Sequence, residues 1–495
     1  MDQYFKRALA SIKNVPYLKP QWFWAGFSIG ILYFGTIFWW MWSLHPLTTI
    51  GITNQFWSFV IVAVAYVGSV LPAAAMWGLF SWALFKIIER WGSHSATPFF
   101  AGGLFVLTEY LRAWVFGIVW AGSGSSLGPN WTFGNPAYWL TAFSPFAQSA
   151  SWWGMYGIDF VLVVLIVAGI FSYKYPAKRQ INLATLVTIA AVCGGAIIIG
   201  SQPNDGTNNI PVALIQTEKQ TQPNYSGDEA FKDAQQKLKL IKEAATKFEK
   251  SGGIIILPEG SALSTFLNSI LTPTAIQEYF RKLGPTEILI VDNVKTETST
   301  GLVSRIAMIS SRDGLIASKD KHVIAPGGEY VPFIARGLIS VGNLLGLDFK
   351  RPSSIVAGSD TLTASKPISA SLVACSDVFS TDAVRDKNAS VILGVNSLAL
   401  FRGSGWLSYQ ILAANKMRAI ENRSWLAWAS NSSHSYIITP TGETSVISKE
   451  NGYGILTGSV VPRRQPAWYT YIGDWPVLLA SFALVGISFR RHNAS

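Results

Sequence analysis

At 495 residues the chain is longer than one hydrophobic core usually organises, so two or more domains are expected. A mean hydropathy of +0.30 with 14% charged residues excludes an ordinary soluble enzyme, and two cysteines exclude a disulfide scaffold. The net charge of +11 sits largely in short clusters beside apolar spans, and no nucleic-acid-binding signature accompanies it, so nucleic acid is not an expected partner.

The first 21 residues carry Lys6, Arg7, Lys13 and Lys19 without a small-residue cleavage site, and read as a cytoplasmic lead-in. Trp22 to Leu44 is long and apolar enough to span a bilayer, with Gly26, Gly30 and Gly35 allowing close helix contacts. Phe56 to Ile88 reads as one long helix interrupted by Pro72 and ending at Lys86 and Arg90. A third span, Phe99 to Trp120, contains Glu109 and Arg112, three apart and so on one helical face as a membrane ion pair. Ala121 to Ser151 has no charged residue and suits a loop in the outer interface. Trp152 to Tyr173, closed by Lys174, Lys178 and Arg179, is the fourth span, and Ile181 to Gly200 the fifth.

After Gln202 the composition changes. A turn-rich linker precedes a soluble α/β pattern, with strands expected at Pro211–Thr217, Gly253–Pro258, Glu287–Asp292, Ser304–Ser310, Ser369–Ala374, Val391–Val395 and Ser424–Ala429. Helices are expected where Phe231, Ala234, Leu238, Ile241, Ala245 and Phe248 recur, and over Trp406–Asn422. Trp475 to Phe489 is a short final span followed by Arg490, Arg491 and His492. Basic clusters precede the first span and follow the second, fourth and last. By the positive-inside rule both termini are cytoplasmic, and the soluble domain between spans five and six is outside. The expected domains are 1–202, a five-span bundle; 203–467, an extracytoplasmic catalytic domain; and 468–495, a last span with its tail.

Three strand ends carry chemistry. Leu257-Pro-Glu259-Gly-Ser, Lys321 through Glu329-Tyr-Val-Pro, and Ser371-Leu-Val-Ala-Cys375-Ser-Asp377 each place a chargeable group where a strand gives way to a turn. A thiol attacks as thiolate, so Cys375 needs a base, which Glu259 could supply. Lys321 could stabilise the thiolate and the oxyanion that follows. Taken singly, a cysteine after a strand is more often a small buried hydrophobe, and a lysine is usually solvated. His322 reads as solvated or packing, and His434 has no identifiable partner in the sequence.

The Glu–Lys–Cys series resembles the nitrilase, or carbon–nitrogen hydrolase, superfamily, and the membrane part resembles its apolipoprotein N-acyltransferase family. The resemblance rests on Trp24-Ala-Gly-Phe-Ser-Ile-Gly, Leu107-Thr-Glu109-Tyr-Leu-Arg112-Ala-Trp, Leu257-Pro-Glu259-Gly-Ser-Ala and Lys321 through Pro332. It continues in Cys375, Arg418-Ala-Ile-Glu421 and Tyr471-Ile-Gly473-Asp-Trp475-Pro. It implies a membrane helical bundle plus an α/β nitrilase-like αββα sandwich inserted before the last transmembrane helix. Glu259 would be general base, Lys321 oxyanion stabiliser and Cys375 nucleophile, with Glu329 and Asp377 as supporting carboxylates. Lys319 competes with Lys321, but only Lys321 stands five residues before the proline of Pro326-Gly-Gly-Glu329, as in the family.

The implied activity moves a fatty acyl group from a phospholipid, through a cysteine thioester, to the amine of a diacylglyceryl-cysteine lipoprotein, at the outer face of a bacterial inner membrane. No cofactor or metal is expected. The chain departs from the family in having six expected spans rather than eight, and Ser376-Asp377 where Tyr-Glu is common. It also has Asn396-Ser-Leu-Ala-Leu-Phe401 without the family's Trp, which leaves the acceptor open. Rival readings are a membrane-anchored amidase using water, a non-catalytic scaffold, and a transporter built on Glu109 and Arg112.

Overall fold

The computed structural model describes residues 20–142, 144–175, 208–219, 227–248, 251–344, 354–363, 367–448 and 452–490, with positions 190 and 194. The expected fifth span apart from positions 190 and 194, the linker from 203 to 207, Cys193 and the basic residues Lys6, Arg7, Lys13, Lys19, Lys178, Arg179, Arg491 and His492 lie outside the described residues.

Helix α1 (Pro20–Ile37) tightens into a 3₁₀ segment, Phe38–Leu44; α2 is Gln55–Trp91, α3 Thr97–Val119 and α4 Ala150–Lys174. Four stretches, Gln21–Leu44, Gln55–Trp91, Thr97–Val119 and Ala150–Lys174, are long and apolar enough to cross a membrane. At 1.5 Å per residue the 37 residues of α2 reach about 55 Å, well beyond a hydrocarbon core of about 30 Å. Pro72 lies inside it without ending it. Helices α1 and α2 touch backbone to backbone at glycine. A Cβ on Gly30 would stand 2.7 Å from Ala74 Cα, and one on Gly26 would stand 2.5 Å from the Trp77 carbonyl.

The α/β part contains β1 (Ile210–Gln216), α5 (Gly227–Thr246), β2 (Gly253–Ile256), α6 (Leu263–Ile270), α7 (Pro273–Arg281), β3 (Ile288–Thr298), β4 (Gly301–Ser310) and β5 (Gly314–Asp320). It continues with α8 (Phe333–Leu344), β6 (Thr361–Leu362), β7 (Ala370–Ala374), β8 (Val391–Ser397), α9 (Gly405–Asn422), β9 (Leu426–Asn431), β10 (Tyr436–Ile438), β11 (Thr444–Ile447) and β12 (Gly454–Val460). Helix α10 (Trp475–Phe489) follows.

One sheet has the order β12-β1-β2-β3-β4-β5-β6, parallel at β1-β2-β3; the other has β11-β10-β9-β8-β7, parallel at β7-β8-β9. Val212, Leu214, Ile254 and Ile256 of the first meet Leu372, Val391, Leu393 and Ala427 of the second between the sheets. Alternate residues Ala213, Ile215 and Ile255 face the other way, under Ile241, Ala245 and Phe248. Both faces of the central strands are therefore buried, which explains their nearly continuous apolar runs. On the far side α9 packs on the second sheet, and its Leu407, Ile411 and Ala414 share a core with Phe34, Phe116 and Tyr156 of the apolar helices. The seam between the two parts is thus a hydrophobic core.

The helix ends at this seam alternate as antiparallel neighbours must. Trp406 Nε1 and Gln410 Nε2 donate to the carbonyls of Thr36 (2.7 Å) and Ile37 (2.8 Å) at the end of α1. Tyr330 Oη donates to the Trp120 carbonyl after α3 (2.7 Å), and Glu421 accepts from the Met155 amide at the start of α4 (2.9 Å). Thr381 Oγ1 donates to Asp474 before α10 (2.7 Å). At the opposite end Arg90 and Trp91 of α2 donate to the carbonyls of Phe489 (2.7 Å) and Ser488 (2.9 Å).

Two sequence expectations are revised here. The strand expected to stop at Asp292 runs to Thr298 and turns into β4, because its polar end alternates inside a hairpin. The uncharged stretch 121–151 is largely packed away rather than a freely exposed loop, with Ser123, Gly124 and Leu127 left exposed. Asn130, Trp131, Thr132, Phe133 and Asn135 are buried between the helices and the α/β part.

Candidate active site

Strands β2, β5 and β7 deliver Glu259, Lys321 and Cys375 to one edge of the sandwich. The Glu259 amide donates to the Asn396 carbonyl (3.3 Å), and Gly260 beyond it, at φ +74°, turns the chain so that its own amide meets Asn293 Oδ1 (2.8 Å). Lys321 Nζ lies 2.8 Å from Glu259 Oε1 and 2.9 Å from the Glu329 carboxylate, and Glu329 also accepts from the Ala325 amide (2.7 Å). The Cys375 thiol sits within the electrostatic reach of Glu259, Lys321 and Glu329, beside the Ser397 backbone. The structure therefore brings Glu259, Lys321, Glu329 and Cys375 together.

Cys375 opens the 3₁₀ turn Cys375–Phe379 at φ +40°, a left-handed conformation that costs a residue with a Cβ about 1–3 kcal/mol. The turn is held by its neighbours. Asp377, buried, accepts from the amides of His322 (3.1 Å), Val323 (2.7 Å) and Ala374 (3.4 Å), and Ser376 Oγ donates to the Val323 carbonyl. Asp377 and Ser376 thus tie the segment after the lysine to the segment after the cysteine.

Burial pushes the Cys375 thiol well above its ordinary range, the Glu259 charge pushes it further, and Lys321 only partly offsets both. Burial likewise raises Glu259, against the pull of Lys321. Burial works against the Lys321 ammonium, but the carboxylates of Glu259 and Glu329 outweigh it and hold the lysine well above its usual range. At rest the thiol is neutral, with Glu259 beside it and the Lys321 cation fixed behind. Such a set can accept the thiol's proton at the moment of attack and neutralise an oxyanion.

Two cavities meet here. An apolar one of about 180 Å³ is lined by Cys375 and Ser376, by Ala325–Gly328, and by Trp40, Met41, Phe116 and Trp120 at the ends of the apolar helices. A polar one of about 530 Å³ is lined by Glu259, Ser261, Asn293, Asn431, Lys219, Lys237 and Lys295. The wall between them is the end of β8 and the turn after it: Ser397 and Ala399 line the polar side, Leu398, Leu400 and Phe401 the apolar side. Beside the apolar cavity, α8 exposes Phe333, Ile334, Leu338 and Val341.

The remaining sequence candidates fall elsewhere. Lys319 instead donates to the Ala383 carbonyl. His322 is exposed and His434 binds the Ser448 carbonyl (2.9 Å). Glu109 and Arg112 pair inside the helical bundle, with Nε 3.0 Å and Nη2 2.8 Å from Glu109 Oε2. Among the described residues no group of three or more His, Cys, Asp or Glu could hold a metal.

Sequence reasoning missed the Ser397 amide, which has no side-chain signature, and the brace built from the stretch 121–151. Thr132 Oγ1 donates to the Phe379 carbonyl (2.5 Å), Phe133 stacks on Phe379 with ring centroids 3.6 Å apart, and Ser380 donates to Asn130 Oδ1 (3.0 Å). Ser126 Oγ also holds the His322 carbonyl (2.9 Å). The one available signal was negative: the 31 residues from Ala121 to Ser151 carry no charge.

No family model matches the chain. It is 23% identical to the apolipoprotein N-acyltransferase of Synechocystis over 476 residues, 90% of this chain and 86% of that one. It is 22% identical to that of Gloeobacter violaceus, covering 96% and 87%, and 24% identical to that of Haemophilus ducreyi, covering 87% and 82%. Along most of its length, then, this chain is similar to the bacterial apolipoprotein N-acyltransferases.

Proposed function

We propose that the protein is an N-acyltransferase that moves a fatty acyl group from a phospholipid to the N-terminal amine of a diacylglyceryl-cysteine lipoprotein, through a thioester on Cys375. The observation that carries this reading is the Cys375 thiol, grouped with Glu259 and Lys321, at the wall of an apolar cavity made partly by membrane-type helices. In the first half-reaction Glu259 takes the thiol proton as sulfur bonds to the ester carbonyl carbon. Lys321 Nζ and the Ser397 amide then face the oxyanion. Collapse breaks the carbon–oxygen bond, and Glu259 returns its proton to the departing glycerol oxygen. In the second half the lipoprotein amine attacks the thioester, Glu259 accepts its proton, and the sulfur leaves as thiol. Ester to thioester to amide needs no redox partner.

The same reading takes residues 203–467 as a nitrilase-like αββα catalytic domain, set between an N-terminal bundle (1–202) and a last span (468–495). Lys86, Arg90, Lys174 and Arg490 all lie at the helix ends remote from that domain, which supports a catalytic side outside the bacterial inner membrane. Glu329 steadies the lysine, Asp377 the turn, and Glu109–Arg112 the bundle. A second reading, hydrolysis of the thioester, is favoured by the polar cavity, which gives water a route to Glu259. Incubation with fluorescent phospholipid and a diacylated lipopeptide separates the two. Triacylated peptide is expected; free fatty acid with unmodified peptide would contradict transfer.

A further inference from the structure

From the two cavities we infer that the polar one is a subsite for the phosphodiester headgroup of the acyl donor, with Lys295 and Lys219 meeting the phosphate; this rests on the acyl-transfer reading above. The placement follows from which group handles which atom. The sulfur that takes the acyl carbonyl opens onto the apolar cavity, so the acyl chain extends there. The carboxylate that must protonate the departing glycerol oxygen lines the polar cavity, so what lies beyond that oxygen extends the other way. The wall at 397–401, with small Ser397 and Ala399 on one side and bulky Leu398, Leu400 and Phe401 on the other, separates a charged space from an apolar one, matching a molecule that changes character at its ester bond.

The polar cavity is large enough for a ligand, within the roughly 300–1,000 Å³ of small-molecule sites. Its lysines are not equivalent. Lys237 is buried, its Nζ bound by Asp233 Oδ2 (2.7 Å) and the Ser261 carbonyl (2.8 Å), and it shares Asp233 with Lys219 (3.3 Å). One carboxylate therefore serves two ammonium groups. Lys295 projects from the exposed end of β3 without an ion-pair partner among the described residues. The lining carries three lysines, Lys219, Lys237 and Lys295, against the one carboxylate of Glu259, which favours a phosphodiester over a neutral peptide segment. Lys219 follows β1, Lys237 lies on α5 and Lys295 on β3, all outside the catalytic set, so Lys219 and Lys295 can be changed without touching the thiol or its base.

The test measures Cys375 acylation by mass spectrometry in the full-length detergent-solubilised protein, with phosphatidylglycerol and with p-nitrophenyl palmitate, which has no phosphate. For Lys295→Glu, acylation by phosphatidylglycerol is expected to fall at least tenfold while that by p-nitrophenyl palmitate stays within twofold. Lys219→Met is expected to give a smaller loss of the same selectivity. Equal loss with both donors, or no loss with either, overturns the proposal. Unchanged acylation with slowed transfer to lipopeptide also overturns it and assigns the cavity to the acceptor. If the unaltered protein is acylated by p-nitrophenyl palmitate but by no phospholipid, the donor in the acyl-transfer reading fails as well.

Discussion

Two of the buried carboxylate–cation clusters among the described residues differ in what surrounds them. In the helical bundle Arg112 grips both oxygens of Glu109, Trp77 Nε1 donates to the same carboxylate (2.8 Å), and Asn135 bridges it to Asp159. At the strand ends Lys321 is shared by Glu259 and Glu329, with a thiol beside them and a cavity on either side. Both clusters are buried and paired. Only the second leaves reactive atoms facing space that another molecule can enter. Access and a spare nucleophile, rather than buried charge, distinguish the candidate site from the structural pair.

The sharpest way to break this comparison is at the thiol and its base. Cys375→Ala is expected to abolish acyl-enzyme and transfer, and Glu259→Gln to lower acylation by roughly the hundred- to ten-thousand-fold attributable to general base catalysis. In the unaltered protein acylation is expected to rise with pH through a value above the ordinary carboxylate range, because burial raises Glu259 and only its ionised form accepts the thiol proton. In Glu259→Gln that limb is expected to vanish; a persisting limb would assign the base elsewhere.

A smaller effect is expected one step out, where the nucleophile turn is braced. Asp377→Ala leaves the amides of His322 and Val323 without their acceptor, a cost of about 1–3 kcal/mol. Acylation is expected to fall about tenfold, with the turn loosened, whereas thermal unfolding shifts only slightly. The bundle pair should behave in the opposite way. Glu109→Gln strands a buried guanidinium and is expected to cost about 3–5 kcal/mol of stability, seen as a lower Tm in detergent. Acylation per folded molecule is expected to stay within about twofold. Loss of acylation without loss of stability would give Glu109 a place in the chemistry.

The legibility of these regions follows from how local their causes are. Glu259, Lys321 and Cys375 were readable because each is a chemically distinct side chain at the end of an apolar run. The long central strands announced themselves through Val212–Ile215 and Ile254–Ile256, buried on both faces. Strand β11 did not, since its residues alternate between partly buried and exposed and its four positions carry little pattern. Helix α8 was hidden because Phe333, Ile334, Leu338 and Val341 form an apolar face that the α/β core does not cover. The Thr132–Phe379 and Phe133–Phe379 contacts join residues nearly 250 positions apart, and no local pattern encodes such a pairing.

The most direct measurement is peptide mapping by mass spectrometry after incubation with a phospholipid of defined acyl chain and no acceptor. The account predicts one acyl group, labile to hydroxylamine, on the peptide containing Cys375, equally in the unaltered protein and in Cys193→Ala. Acylation at Cys193, or an unmodified Cys375 while triacylated lipopeptide accumulates, would contradict it.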